Sequence, residues 1–112
     1  MDASVFRALA DPNRLAIIGL LHDRVHCVKA MSYKLGLSES SISQHLKVLR
    51  DAGLVEGVKY GYYTHYRLDR NALEALGQAL CDMAQRPGGD PECDAAEVVG
   101  CETAQRRKKQ DT

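Results

Sequence analysis

The chain has 112 residues, 45% of them hydrophobic, with 15 Lys and Arg balanced by 15 Asp and Glu. That length allows one small domain with a modest core, which a second copy would help to bury, plus a short tail. No apolar run is long enough to span a bilayer and no charged-then-apolar leader opens the chain, so the expectation is a cytoplasmic protein without membrane contact.

Val5 and Leu9 mark a short first helix. Asp11 and Pro12 form a start signal: a side-chain acceptor, then a proline whose missing N–H costs nothing in the first turn. A second helix runs from there to about His22, with Leu15, Ile18 and Leu21, or Leu15, Gly19 and His22, at helical spacing. His22–Arg24 reads as a turn. A third helix covers about Val28 to Leu35, and Gly36 stands where a left-handed helix end is needed. Ser38 caps a fourth helix that reaches about Ala52 and ends at Gly53. On it Ile42, Leu46 and Leu49 fall on one face; Ser40, Gln44 and Lys47 fall opposite, with Ser41 at their edge. Leu54–Tyr60 and Tyr62–Leu68 read as two strands joined around Gly61. A last helix spans Asn71 to Gln85, with Leu73, Leu76, Leu80 and Met83 in one stripe, and Pro87–Pro91 stops it. The expected domain is residues 1–86, followed by a mobile, cysteine-containing tail over 87–112.

The zero net charge hides a polarity. Between His26 and Arg67 six bases face three acids, whereas Pro87–Gln105 carries five acids and no base. The centre is therefore positive and the tail negative. Two helices joined by a glycine turn and followed by a hairpin make a winged helix-turn-helix. The expected class is mostly α with a small β-hairpin, in the order α-α-α-α-β-β-α.

These residues match a known pattern. Phe6–Leu15, Leu35-Gly36-Leu37-Ser38, Ser43-Gln44-His45-Leu46, Leu49–Val55 and Tyr66-Arg67-Leu68 together resemble the ArsR/SmtB repressors over about residues 5–85. The resemblance implies a homodimer joined by its first and last helices, binding to a pseudo-palindromic double-stranded operator, and release when an effector binds. The effector in such proteins is usually a metal or metalloid ion, sometimes a reactive sulfur or oxygen species. One departure concerns the wing: where the family often has arginine or lysine just after the turn glycine, this chain has Tyr62.

A major groove admits one helix and presents distinguishable donors and acceptors. The candidate DNA-contacting set is Ser38, Ser40, Ser41, Gln44, His45, Lys47 and Lys59. Gln44 suits paired hydrogen bonds to adenine, the serines suit bases or phosphates, and Lys47 and Lys59 suit phosphates. His45 lies beside the aliphatic face, where a phosphate contact and a structural hydrogen bond are both open. The hairpin tyrosines read as wing and core packing rather than as base-stacking platforms. The basic Arg106–Lys109 run reads as solubilising rather than as a phosphate contact.

Thiolates bind soft ions, and trivalent arsenic favours three sulfurs. Cys81 on the last helix with Cys93 and Cys101 in the tail form the candidate metal set, and As(III) is the expected effector. Closing such a site beside the dimer interface would favour one dimer arrangement, while DNA favours another. Cys27 aligns with the first of a Cys-x-Cys pair in some relatives. Its second position is Lys29 here, which leaves Cys27 as a relic, a packing residue or an auxiliary ligand. A His22/His26/Cys27 cluster for a borderline metal is a lesser possibility.

Two alternatives remain open. One is a repressor of the same fold that responds to oxidants or persulfide through thiol pairs, although the second-helix cysteine of sulfur-sensing relatives is Gly19 here. The other is a metal storage or trafficking module, which would leave the fourth helix unexplained. An enzyme is not expected: Ser43, His45 and Asp51 face different sides of one helix, with no glycine-rich loop beside them.

Overall fold

A computed structural model describes residues 3–89. In chain order the elements are α1 (Ala3–Leu9), α2 (Pro12–Asp23), β1 (His26–Cys27), α3 (Val28–Leu35), α4 (Glu39–Asp51), β2 (Val55–Tyr60), β3 (Tyr63–Leu68) and α5 (Arg70–Gln85). A compact unit closes at Asp82, and a second begins at Met83. The expected helices and hairpin are all present, and the layout is a winged helix-turn-helix.

Local chemistry sets the boundaries. The Asp11 carboxylate accepts from the backbone N–H groups of Asn13 (2.9 Å) and Arg14 (3.0 Å), which leaves fewer orphan donors at the start of α2. These bonds, that from Arg14 foremost, hold the Asp11 carboxyl below the usual aspartate range. Arg14 also turns its side chain back, donating from Nε to the Ala8 carbonyl (2.6 Å) and from Nη2 to that of Arg7 (3.1 Å). Two of the last carbonyls of α1 thereby gain a partner. Asp69 caps α5 in the same manner through the Ala72 N–H. Arg70 then ties the start of α5 to the end of α2 through the His22 carbonyl (2.6 Å) and ring (3.2 Å).

The fold departs from the sequence expectation in three places. The sheet has three strands in the order β1-β3-β2, because His26 and Cys27 pair with Tyr66 and His65 along the outer edge of β3. Two residues are too few to show an alternating pattern, and β1 exists because it covers a strand edge that would otherwise be bare. The inward face of α2 is Ile17, Ile18 and Leu21, while Leu15 is 53% exposed. Helix α2 also runs through His22 to Asp23, so the turn begins only at Arg24.

The core gathers Ala8 of α1, those three α2 residues, Met31 of α3, Ile42, Leu46 and Leu49 of α4, and Leu54, Val55 and Leu68 at the hairpin base. Full burial of each large aliphatic contributes about 1.5–3 kcal/mol. The residues on α4 are therefore the ones that fix how it sits against α2, α3 and the hairpin.

Candidate nucleic-acid interface

The angle between α3 and α4 is set by the residues around the turn that joins them. Gly36 takes a left-handed conformation (φ 68°), which a side chain would oppose. The Ser32 carbonyl accepts from the N–H groups of Gly36 (2.9 Å) and Leu37 (3.3 Å), and the Ser32 hydroxyl donates to the Leu37 carbonyl. Ser38 then caps α4 by accepting from the Ser41 N–H at 3.1 Å. With Ile42, Leu46 and Leu49 buried beneath it, α4 has no freedom to roll, and its opposite face is committed to the surface.

That face carries the residues expected on it. Ser38, Ser40, Gln44 and Lys47 are exposed, and Ser41 is half-buried at the margin. Ser38 is a capping residue first: its oxygen is engaged by the helix, leaving its hydroxyl proton for another acceptor. Lys59 is exposed on β2, opposite Thr64. His45 is half-buried, and its Nδ1 faces Nη1 of Arg14 at 3.4 Å. A guanidinium only donates, so Nδ1 is the acceptor and the ring proton sits on Nε2. The structural bond left open for His45 therefore exists, and the ring retains one donor besides. The Arg14 side chain thus touches both the end of α1 and the middle of α4, a link that no sequence pattern announced.

Other polar groups near this face are already engaged. Arg67 pairs with Glu56 directly across the β2–β3 ladder, and that carboxylate raises the guanidinium pKa above its usual value. Both side chains are about half exposed, so the pair adds little stability, but it does occupy Arg67. Lys29, Tyr33 and Lys34 of α3 are exposed as well.

The hairpin tyrosines divide between core and wing. Only Tyr66 packs against the core, whereas Tyr60 (55%), Tyr62 (102%) and Tyr63 (67%) are exposed at the wing tip. Burial at strand positions nearest a turn is not set by residue type, because no facing layer reaches that far.

The His22/His26/Cys27 metal cluster does not form. The His22 ring meets Arg70, and His26 is buried with Nδ1 donating to the Arg24 carbonyl (2.8 Å) while Nε2 accepts from Lys34 Nζ (3.0 Å). Both nitrogens of His26 are used by the protein itself. Among the described residues, no group of three or more His, Cys, Asp or Glu is arranged to hold a metal ion. Cys27 is a half-buried free thiol and Cys81 an exposed one on α5. Cys93 and Cys101 lie outside the described residues, as does the Arg106–Lys109 run. Among the described residues no helix is long and apolar enough to cross a membrane.

Comparison with known proteins adds to this geometry. A family profile described as "Bacterial regulatory protein, arsR family" matches residues 11–57. The arsenical resistance operon repressor of Escherichia coli is 42% identical over 87 residues, covering 77% of this chain and 74% of that protein. The transcriptional repressor SmtB of Mycobacterium tuberculosis is 41% identical over 92 residues, covering 80% of this chain. The chain spans just under two thirds of the length of its SmtB relatives, 66% of the M. tuberculosis protein and 63% of a Synechocystis homologue. Among solved structures, an ArsR-like transcriptional regulator from Rhodococcus sp. RHA1 superposes with a TM-score of 0.69 at 33% identity, over 73% of this chain and 77% of that one. A homodimeric winged helix-turn-helix DNA-binding domain from Mycobacterium bovis superposes with a TM-score of 0.62 at 30% identity, over 78% of this chain and 86% of that one. These relatives are transcriptional regulators rather than enzymes.

Proposed function

The chain belongs to the ArsR family of bacterial regulatory proteins, and from that premise we propose that it is a homodimeric repressor which leaves its operator when a soft metalloid ion binds. One observation carries the DNA-binding part: the apolar face of α4 is consumed by the protein's own core, while Ser40, Gln44 and Lys47 stand exposed on the other side. A helix so anchored presents a fixed row of donors and acceptors, which is what reading base edges in a major groove requires. Gln44 reads adenine through its amide. Ser40 and Ser41 contact a base edge or phosphate, and Lys47 and Lys59 set register through phosphates. His45 is held by Arg14 and offers Nε2–H to the DNA backbone.

The effector reading rests on donor chemistry. Cys81, Cys93 and Cys101 supply three sulfurs, the number and softness that suit As(III). The exposure of the Cys81 thiol is compatible with capture of an ion from solution. The name of the E. coli relative, an arsenical resistance repressor, points the same way. Cys27 is an auxiliary thiol at most.

The test is a gel shift with the DNA upstream of the protein's own gene, followed by titration with As(III), Sb(III), Cd²⁺, Zn²⁺, Ni²⁺ and polysulfide. The expected result is a sequence-specific complex that As(III) dissolves. Cys81→Ser, Cys93→Ser and Cys101→Ser should each keep DNA affinity and lose the As(III) response. Undiminished release in all three variants would overturn the thiol site, and absence of any specific shift would overturn the repressor reading.

A further inference from the structure

Each guanidinium nitrogen of Arg14 is committed to a different acceptor. Nε donates to the Ala8 carbonyl (2.6 Å) and Nη2 to that of Arg7 (3.1 Å), both on α1. Nη1 donates to Nδ1 of His45 on α4 (3.4 Å). One side chain of α2 therefore joins three helices. Its backbone N–H has a separate task, donating to the Asp11 carboxylate (3.0 Å) in the cap of α2. The cap belongs to the backbone and the three-way link to the side chain, so the two can be tested apart.

The link has a fixed end and a movable end. Two of its bonds stop on backbone carbonyls, which move only if α1 moves. The third stops on an imidazole, which is free to turn about its own side-chain torsions. That ring is half-buried at the margin of the polar face of α4, next to Gln44 and one turn beyond Ser41. The third bond is not what seats α4, because Ile42, Leu46 and Leu49 already fix that helix on the core. What it fixes is the direction of the remaining ring donor, Nε2–H. A planar guanidinium, with donors in a rigid fork, can bridge fixed carbonyls and a ring in this way; an ammonium on a flexible stem cannot.

Resting on the DNA-binding reading above, we infer that Arg14 is a positioning residue for DNA binding: it holds the His45 ring against α1, so that Nε2–H meets the duplex already oriented, and does not itself touch the DNA. A donor held in advance has no rotamer freedom left to lose on binding. Without Arg14 the ring turns freely, and the complex must order it. The consequence is separable from a phosphate contact, because the slope of log affinity against log salt counts the cations placed on phosphates.

The experiment is fluorescence anisotropy with a duplex selected from a random pool, at several salt concentrations, on the full chain and its variants. Arg14→Met keeps the apolar stem and the backbone N–H bonded to Asp11. It is expected to weaken binding about tenfold, the cost of ordering one ring in each protomer, with the wild-type salt slope. In a His45→Ala background the same change should alter affinity by less than about twofold, because the group that Arg14 positions is gone. His45→Gln places an amide donor near where Nε2 stands but offers Arg14 no acceptor at the Nδ1 position. It alters only a half-buried side chain at the helix margin, and it should lose the same factor even if Arg14→Met fails to fold. Wild-type affinity of Arg14→Met or of His45→Gln overturns the inference, as does an equal loss from Arg14→Met with and without His45. A slope flattened by about 0.9 for each phosphate released would make Arg14 a phosphate contact and also overturn it. Each of these results leaves the repressor reading intact. A wild type that prefers no duplex overturns both.

Discussion

Helices α4 and α5 are both strongly amphipathic, yet they meet different ends. In α4 the inward residues Ile42, Leu46 and Leu49 are all buried inside the chain's own core, and Val48 alone of its large aliphatics is exposed, at 40%. In α5 only Leu76 is buried, while Leu80 and Met83 remain 49% and 62% exposed. The same kind of pattern thus serves two purposes. A satisfied apolar face leaves the polar face of α4 as the free surface, suited to a polar ligand such as DNA. An unsatisfied apolar face makes α5 itself the surface in need of a partner, which the proposed homodimer would supply.

Breaking the α4 side should have the largest effect. Leu46→Ala removes a fully buried side chain and is expected to cost about 2–5 kcal/mol, read from denaturant unfolding; a cost under about 1 kcal/mol would mean that α4 is not anchored as described. On the α5 side, Leu80→Glu should leave each protomer folded but raise the dimer dissociation constant, on the order of 100-fold, since a carboxylate must then be desolvated in an apolar contact. Sedimentation equilibrium checks this, and an unchanged mass would remove α5 from the interface. Gln44→Ala tests the polar face alone. It should cost about 1–3 kcal/mol of discrimination between the selected duplex and a mismatched one, with no change in melting temperature. The smallest effect concerns Asp11. Its folded pKa is depressed by helix N–H donors, so its contribution to stability is present above the ordinary aspartate range and is lost as pH falls through the folded value. Asp11→Asn should keep the cap and flatten that acid limb in thermal melts followed against pH; an acid limb unchanged from wild type would assign it to other carboxylates.

What the sequence revealed follows the same division. The helix ends at Asp11-Pro12, Gly36, Ser38 and Gly53 were legible because each rests on local chemistry that a few neighbouring residues settle. The polar row on α4 was legible because its spacing opposite three aliphatics has few other readings. What escaped depends on contacts distant in sequence. The strand His26–Cys27 forms only because β3 offers an edge. The Arg14 side chain reaches His45, 31 positions away. The wing tyrosines stand in water because nothing lies over them, a matter of tertiary arrangement rather than of residue type. His26, one member of the His22/His26/Cys27 option, has both ring nitrogens spent on Arg24 and Lys34, contacts that composition does not announce.

The claim beneath all of this is that the outer face of α4 lies against duplex DNA. An NMR titration of the labelled full chain with a duplex selected from a random pool tests it most directly. The largest amide and side-chain shifts should fall on Ser40, Ser41, Gln44 and Lys47. Shifts confined to other surfaces, with those α4 signals unmoved at saturation, would contradict it.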